Sequence, residues 1–390
     1  MNTPSVPEEH VRAPERTARK RPGLALPRIL LGVLIGLLIL LVALYLNRKL
    51  VAREVLVGWL DRQGIAAGVE GERIDRNGFI GRIRVGDPND PDFLAERVEV
   101  DYSLTSPWSA AGLGARPSRI RLVAPSLRAT WKDGRFSFGS LDPLITRFTG
   151  QPSQPDASAP LILVEQGELR LTTAYGPVQV LADARVEDSR LVRLTARLPA
   201  SSLALDDQSA RGLAANLDLT TRGDVTTVSM SATADSLSSA DSTATDLTLT
   251  ADATLPYPVG TPLRFDGAGQ IDMEVALADY RSGETQGHAL AADLKAEGRV
   301  SGILTRPQFD GRASGTIGAE RLSTTGLRVG DGRMRLEETT LTLDLSQNAP
   351  RWQVTGSARL IMARVESEAC SGRSVVLATT RLDAGGREGR

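Results

Sequence analysis

Ile271-Asp272-Met273-Glu274-Val275-Ala276-Leu277 places a large aliphatic side chain at every second position. Successive side chains of an extended chain point to opposite faces, so this heptapeptide reads as a β-strand with one apolar face. Outward from it the same alternation returns on the N-terminal side at Leu169/Leu171, Val178/Val180, Val192/Leu194/Ala196/Leu198, Leu213/Ala215/Leu217/Leu219, Val228/Met230/Ala232 and Leu247/Leu249/Ala251. On the C-terminal side it returns at Leu290/Ala292/Leu294, Leu341/Leu343/Leu345 and Trp352/Val354. Gly, Asp, Asn or Pro separates these runs at intervals of roughly 10 to 20 residues, the spacing of antiparallel β-structure. No motif repeats at a fixed period, which argues against a propeller or a leucine-rich repeat.

The polar half of each run is Ser, Thr, Asp and Arg; the apolar half is aliphatic and often only Ala. Beyond Pro160 the aromatics are few: Tyr175, Tyr257, Phe265, Tyr280, Phe309 and Trp352. Two arrangements fit. Sheet can pack on sheet as a closed sandwich or solenoid, with Ala allowing close approach, or one sheet can curl into an open trough that holds something else. Composition alone favours the closed form. An outer-membrane barrel would carry aromatic girdles and no N-terminal membrane helix.

Upstream the pattern is different. Ile29-Leu30-Leu31-Gly32-Val33-Leu34-Ile35-Gly36-Leu37-Leu38-Ile39-Leu40-Leu41-Val42-Ala43-Leu44-Tyr45-Leu46 has no charged or strongly polar side chain. As a helix it covers roughly 27 Å, about the hydrocarbon thickness of a bilayer. Arg12, Arg16, Arg19, Lys20, Arg21 and Arg28 precede it with Glu15 as the only acid among them, so the N-terminus is expected in the cytoplasm and the body outside it. A cleavable signal peptide is the competing reading, but Asn47-Arg48-Lys49 is a poor cleavage site. Gly32-x-x-x-Gly36 offers a helix-dimer face, although small residues are common in such helices.

The expected organisation is a disordered cytoplasmic tail (1–27), a transmembrane helix opened by Pro27 (28–47) and an amphipathic juxtamembrane helix (48–64). A periplasmic α+β head (65–148), a Pro-rich linker (149–160) and a long β body (161–390) follow. Nine of the sixteen aromatics lie between Trp59 and Phe148, which argues for an ordinary packed core in the head. Within the head, Lys132-Asp133-Gly134-Arg135 reads as a hairpin turn, and Ser106 and Asp142 read as caps of short helices opened by Pro107 and Pro143.

Few function classes survive the composition. A net charge of −1 gives no overall field for nucleic acid. One cysteine, Cys370, excludes an intramolecular disulfide. His10 and His288, the two histidines, fall on opposite sides of the presumed membrane, so no His-based triad or clustered metal site forms, and no cofactor is expected. The carboxylates are scattered and no pair stands out. The reading is of a protein that is not an enzyme.

The head carries a resemblance. Gly78-Phe79-Ile80-Gly81, Gly86-Asp87-Pro88, Phe93, Val98-Glu99-Val100-Asp101-Tyr102, Ile120-Arg121-Leu122-Val123-Ala124-Pro125-Ser126-Leu127 and Phe138-Gly139-Ser140-Leu141-Asp142 resemble the start of AsmA-like proteins, over roughly residues 28 to 148. The nearest type is the YdbH-type intermembrane phospholipid transport family, with TamB more distant. The resemblance implies a single-pass inner-membrane protein whose β-groove holds phospholipid acyl chains in the periplasm. It tips the architecture from closed sandwich to open groove. Candidate lining residues are Leu247, Leu249, Ile271, Met273, Val275, Leu277, Leu341, Leu343 and Leu345. The likeness to TamB implies a rival role as a scaffold for outer-membrane protein assembly, with an outer-membrane or periplasmic protein partner. About 20 strands at 4.8 Å would reach on the order of 90 to 100 Å. Bridging members of the family are longer, so the polar end Asp383-Ala384-Gly385-Gly386-Arg387 reads as that of an N-terminal fragment.

Overall fold

A computed structural model describes residues 67–74, 78–87, 89–105, 114–132, 135–143, 159–260, 263–303, 306–345, 351–367 and 371–387. The membrane helix, the juxtamembrane helix, Cys370 and most of the linker lie outside the described residues. The rest is β. One sheet of 17 strands holds β1 (Ala67–Ile74), β2 (Gly78–Gly86), β3 (Pro91–Thr105), β4 (Gly114–Lys132), β5 (Arg135–Ser137) and β6 (Leu161–Thr173). It continues through β7 (Gly176–Glu187), β8 (Arg190–Leu205), β9 (Gln208–Arg222), β10 (Val225–Ser239), β11 (Ser242–Pro256) and β12 (Arg264–Ser282). The last five are β13 (Thr285–Ile303), β14 (Arg306–Thr324), β15 (Leu327–Asp344), β16 (Arg351–Ser367) and β17 (Ser371–Arg387).

The residue registers follow chain order. Neighbours pair antiparallel through tight hairpins, such as Glu187↔Arg190 around Asp188 (φ 49°) and Ser189 (φ 61°). Two successive positive φ values make the type I′ turn that matches strand twist. One connection differs. β6 pairs parallel with β4, from Arg119↔Leu161 to Trp131↔Thr173, while β5 folds back on the tip of β4 through Lys132↔Arg135, the expected hairpin. The strands on either side of the Pro-rich segment therefore share one sheet. Asp142 sits at helical dihedrals (φ −53°, ψ −42°), and its carboxylate takes the Phe138 N–H and the Ser137 hydroxyl, both at 2.6 Å. It closes the turn behind it; the residues past Pro143, where a helix was expected, lie outside the described residues.

A line of irregularity crosses β9 to β17. Gly212, Asp235, Asp246, Ala278, Ala289, Glu320, Asp331, Ala363 and Ser374 sit in one transverse row, and none is a ladder partner of its neighbour. In alternate strands the backbone there turns left-handed: Gly212 (φ 63°), Asp246 (51°), Ala289 (51°), Asp331 (46°) and Ser374 (56°). Each strand thus carries one extra residue at the same level, a bulge repeated nine times. Across this crease the apolar positions step by three, Ala234 to Leu237, Leu277 to Tyr280 and Leu290 to Gly287. A two-residue step would have sent the next apolar side chain to the other face, so the extra residue keeps one face apolar on both sides of the crease.

Buried apolar residues gather in two places, and Ala234, Leu336, Ala358 and Met362 are buried elsewhere in the body. Phe79, Val85, Ala95, Val98 and Ala129 fill the apolar face of β2 to β4. Ala296, Val300 and Phe309, with Leu255, Phe265, Ala313, Leu341 and Leu343 against them, form a smaller cluster on β11 to β15. Glycines make room for it: a methyl on Gly269 would run into Val300 Cγ2, and one on Gly298 into the Asp310 carbonyl.

Candidate functional site: an apolar face without ionisable groups

Met273 pairs with Ala251 on β11 and Leu294 on β13, and residues directly opposite share a face. That transverse row runs Ala196–Leu217–Met230–Ala251–Met273–Leu294–Gly315–Leu336–Ala358 from β8 to β16. The next row towards the crease is Leu198–Ala215–Ala232–Leu249–Val275–Ala292–Ile317–Met334–Leu360–Leu377, ten strands wide. The next row away from it reaches furthest: Gly81–Val98–Leu122–Val164–Ala184–Leu194–Leu219–Val228–Ala253–Ile271–Ala296–Ala313, from β2 to β14. None of the three rows contains an ionisable side chain. Met273, Leu249, Val275 and Ile271 are all half-buried.

The candidate lining residues distribute over this face. Leu247 stands opposite Ala234, Leu249 opposite Val275, and Leu277 opposite Leu290. Leu341 and Leu343 pair with Gly311 and Phe309 and belong to the packed cluster. Leu345 lies just past the end of β15, its N–H donating to the Pro307 carbonyl at 3.1 Å. Sequence reasoning missed Ile317, Met334 and Leu360. Arg333-Met334-Arg335-Leu336 alternates and was a usable signal; beside Ile317 and Leu360 the flanking Gly318 and Ile361 blur the pattern, and the register from Val275 outward places all three on this face.

The opposite face carries the charges. Arg121 ties three strands, donating from Nε and an Nη to Glu165 at 2.8 and 2.6 Å and to Glu99 at 3.2 Å. The Arg97 guanidinium, and after it Arg121, holds the Glu99 carboxyl below the ordinary carboxylate value; Arg121 does the same for Glu165. His288 Nδ1 lies 2.9 Å from Asp279 Oδ1 on this polar face. A cavity of about 830 Å³ also opens on this side, along the crease, against Ala289, Glu320, Asp331 and Ser374. Most of its lining stands behind the Met273 face, and Val275 and Ala292 of the apolar row border it as well. Among the described residues no group of three or more His, Cys, Asp or Glu is placed to hold a metal ion. No helix among them is long and apolar enough to cross a membrane.

The face is broad and uncharged, and many of its residues are half-exposed. The family model described as YdbH-like, intermembrane phospholipid transport protein YdbH, matches residues 35–369. The chain belongs to the YdbH-like family. No curated protein and no solved structure matches it. The YdbH-like match spans the head and the β body as far as β16, so it includes the apolar rows and the crease except for their last members on β17, Leu377 and Ser374.

Proposed function

We propose that this YdbH-like chain is anchored in the inner membrane by residues 29–46 and curls its apolar face into an open periplasmic groove that carries phospholipid acyl chains between membranes. The observation that supports it most is the row through Leu249, Val275 and Met334, ten strands of uncharged side chains with no buried partner layer. An acyl chain leaving water gains about 0.8 kcal/mol per methylene covered, so a continuous strip holds a lipid without any chemistry. Half-burial favours the open form, since a sandwich would bury this face completely. No observation favours the scaffold role over lipid transfer.

The test is Met273→Asp, read by thermal stability and by mass spectrometry of co-purifying lipid. An unpaired carboxylate on the strip repels hydrocarbon but stays hydrated on an open face. The expected outcome is lost lipid with a retained unfolding transition. A collapsed transition would mean a closed sandwich, and unchanged lipid would remove Met273 from the path. For the anchor, a reporter fused after Gly64 is expected to be active only in the periplasm; activity of a cytoplasmic reporter there defeats the topology.

A further inference from the structure

The polar face carries its charge unevenly along the crease. In the band between the row through Asp279 and the row through Glu274, β10 to β13 hold five carboxylates, Asp235, Asp246, Glu274, Asp279 and Asp293, and no Lys or Arg. The same band on β14 to β17 holds six arginines, Arg321, Arg333, Arg335, Arg359, Arg364 and Arg373, against Glu320 and Asp331. Two pairs of these arginines stand directly opposite each other, Arg335↔Arg359 and Arg364↔Arg373. Like charges directly opposite on one face destabilise a sheet, and the chain does little to offset them. Among the described residues Arg359 has only Glu337, at 3.8 Å, and Arg321, Arg333, Arg335, Arg364 and Arg373 have no ion-pair or hydrogen-bond partner. By contrast each described arginine side chain of β2, β3 and β4 (Arg82, Arg84, Arg97, Arg119, Arg121 and Arg128) is ion-paired. Between the two arginine pairs Ile361 faces Val376, and they are 45 % and 59 % exposed. Val376 is the most exposed large apolar side chain among the described residues. Gly330, with no side chain, lies in the row between Arg321 and Arg364 and leaves an opening beside three guanidinium groups.

We propose that the polar face of β14 to β17 is a docking surface for an anionic lipid bilayer. The arginines take the lipid phosphates, which guanidinium groups grip in bidentate fashion, and Ile361 and Val376 enter the interface between them. The acidic half does not oppose this. Successive strands of a sheet rotate by roughly 20–25°, so four strands turn the two halves on the order of 80–100° apart, and a flat surface meets one without the other. The choice of a bilayer rests on the transport reading above, since a chain that passes lipid between membranes must meet a second one. β17 closes the pairing order that begins at β1, so this surface lies on the strands most remote in the sheet from the one that follows residues 29–46 in the chain.

The experiment mixes the full chain, held in phosphatidylcholine nanodiscs, with vesicles of phosphatidylcholine alone or with added phosphatidylglycerol, and reads the bound fraction by flotation. Binding is expected only to the phosphatidylglycerol vesicles and is expected to weaken as salt rises. Arg364→Glu with Arg373→Glu is expected to lower it at least about tenfold, because each reversal turns an attraction into a repulsion at the anionic surface. Arg335→Glu with Arg359→Glu is expected to act the same way. All four side chains are exposed, so the unfolding transition should be retained in both double variants. Equal binding to the two kinds of vesicle, no binding, or binding that both double variants keep overturns the proposal. Inorganic phosphate at constant ionic strength is expected to leave the vesicles bound; displacement would reassign the site to free phosphate. Self-association without vesicles, abolished by the same variants, would reassign the charges to a second copy of the chain. Lipid that co-purifies with the chain reads the groove separately and is expected to be unchanged in the arginine variants. Its loss together with vesicle binding would mean that the arginines act on the groove, which overturns a separate docking surface.

Discussion

Val98 and Ile271 stand in the same transverse row, on the same face of the same sheet, and meet opposite fates. Val98 is buried under the head's own side chains; Ile271 is half-buried. The cause is bulk. The head concentrates aromatics, with Phe79 buried in its core, whereas in the body Phe265 and Phe309 pack beside Ile271's partner Ala296 and the strip from Ile271 towards the crease offers mostly Ala, Val, Leu and Met. The same strand patterning thus packs tightly at Val98 and around Ala296 and is left half-exposed at Ile271, Met273 and Val275. Burial, not alternation, separates structure from function here.

The largest expected effect breaks that comparison directly. Val98→Asp buries an unpaired carboxylate and is expected to destabilise the head by about 3–5 kcal/mol. Met273→Asp, on the open part of the face, is expected to leave the unfolding transition nearly in place. Denaturant melts of the two variants measure the contrast. Equal losses would mean that the body is as closed as the head.

Much of this was legible in the residues, and what was not has physical reasons. The alternation at Ile271, Met273, Val275 and Leu277 fixed the strand and its apolar face, and the head motifs pointed to the right family. The step of three from Ala234 to Leu237 looks in sequence like the end of a pattern. Only when nine strands are paired does it become an aligned bulge that preserves the pattern. The parallel pairing of β4 with β6 was equally hidden, since a Pro-rich segment between strands says nothing about which edge the chain returns to. Burial was hidden for a related reason: it depends on what lies above a face, which no strand pattern encodes.

A smaller effect sharpens the comparison within a single strand. Ala289 lies on the crease with φ 51°; Ala291, two residues on, is a regular ladder residue opposite Ala276 and Gly318. A β-branched side chain is strained in the left-handed region, so Ala289→Val is expected to cost about 1–2 kcal/mol while Ala289→Gly is close to neutral. At Ala291 the order reverses, with Val tolerated and Gly costing roughly 0.5–1 kcal/mol. Chemical denaturation of the four variants gives the ranking. The same order at both sites would remove the crease.

The smallest effect concerns the charged clamp at the edge of the head. Arg97 and Arg121 lower the Glu99 carboxyl, and Arg121 lowers Glu165, so both carboxylates bind protons less readily in the folded than in the unfolded chain. Groups of that kind stabilise the fold above the ordinary carboxylate range near pH 4.5, and the contribution disappears as pH falls through their depressed folded values. The pairs are partly exposed, so the contribution is modest and screened by salt. Glu165→Gln should therefore lower the melting temperature slightly at pH 7 and not at all once acid has protonated the wild-type carboxylate. β10 to β17 lack such a clamp across a parallel pairing, so the pH-dependent difference should appear in probes on β4 and β6 and be absent from probes on β12. A difference that persists unchanged in acid would show that Glu165 acts through packing and not through its charge, and β6 would then be held to the head by its backbone ladder alone.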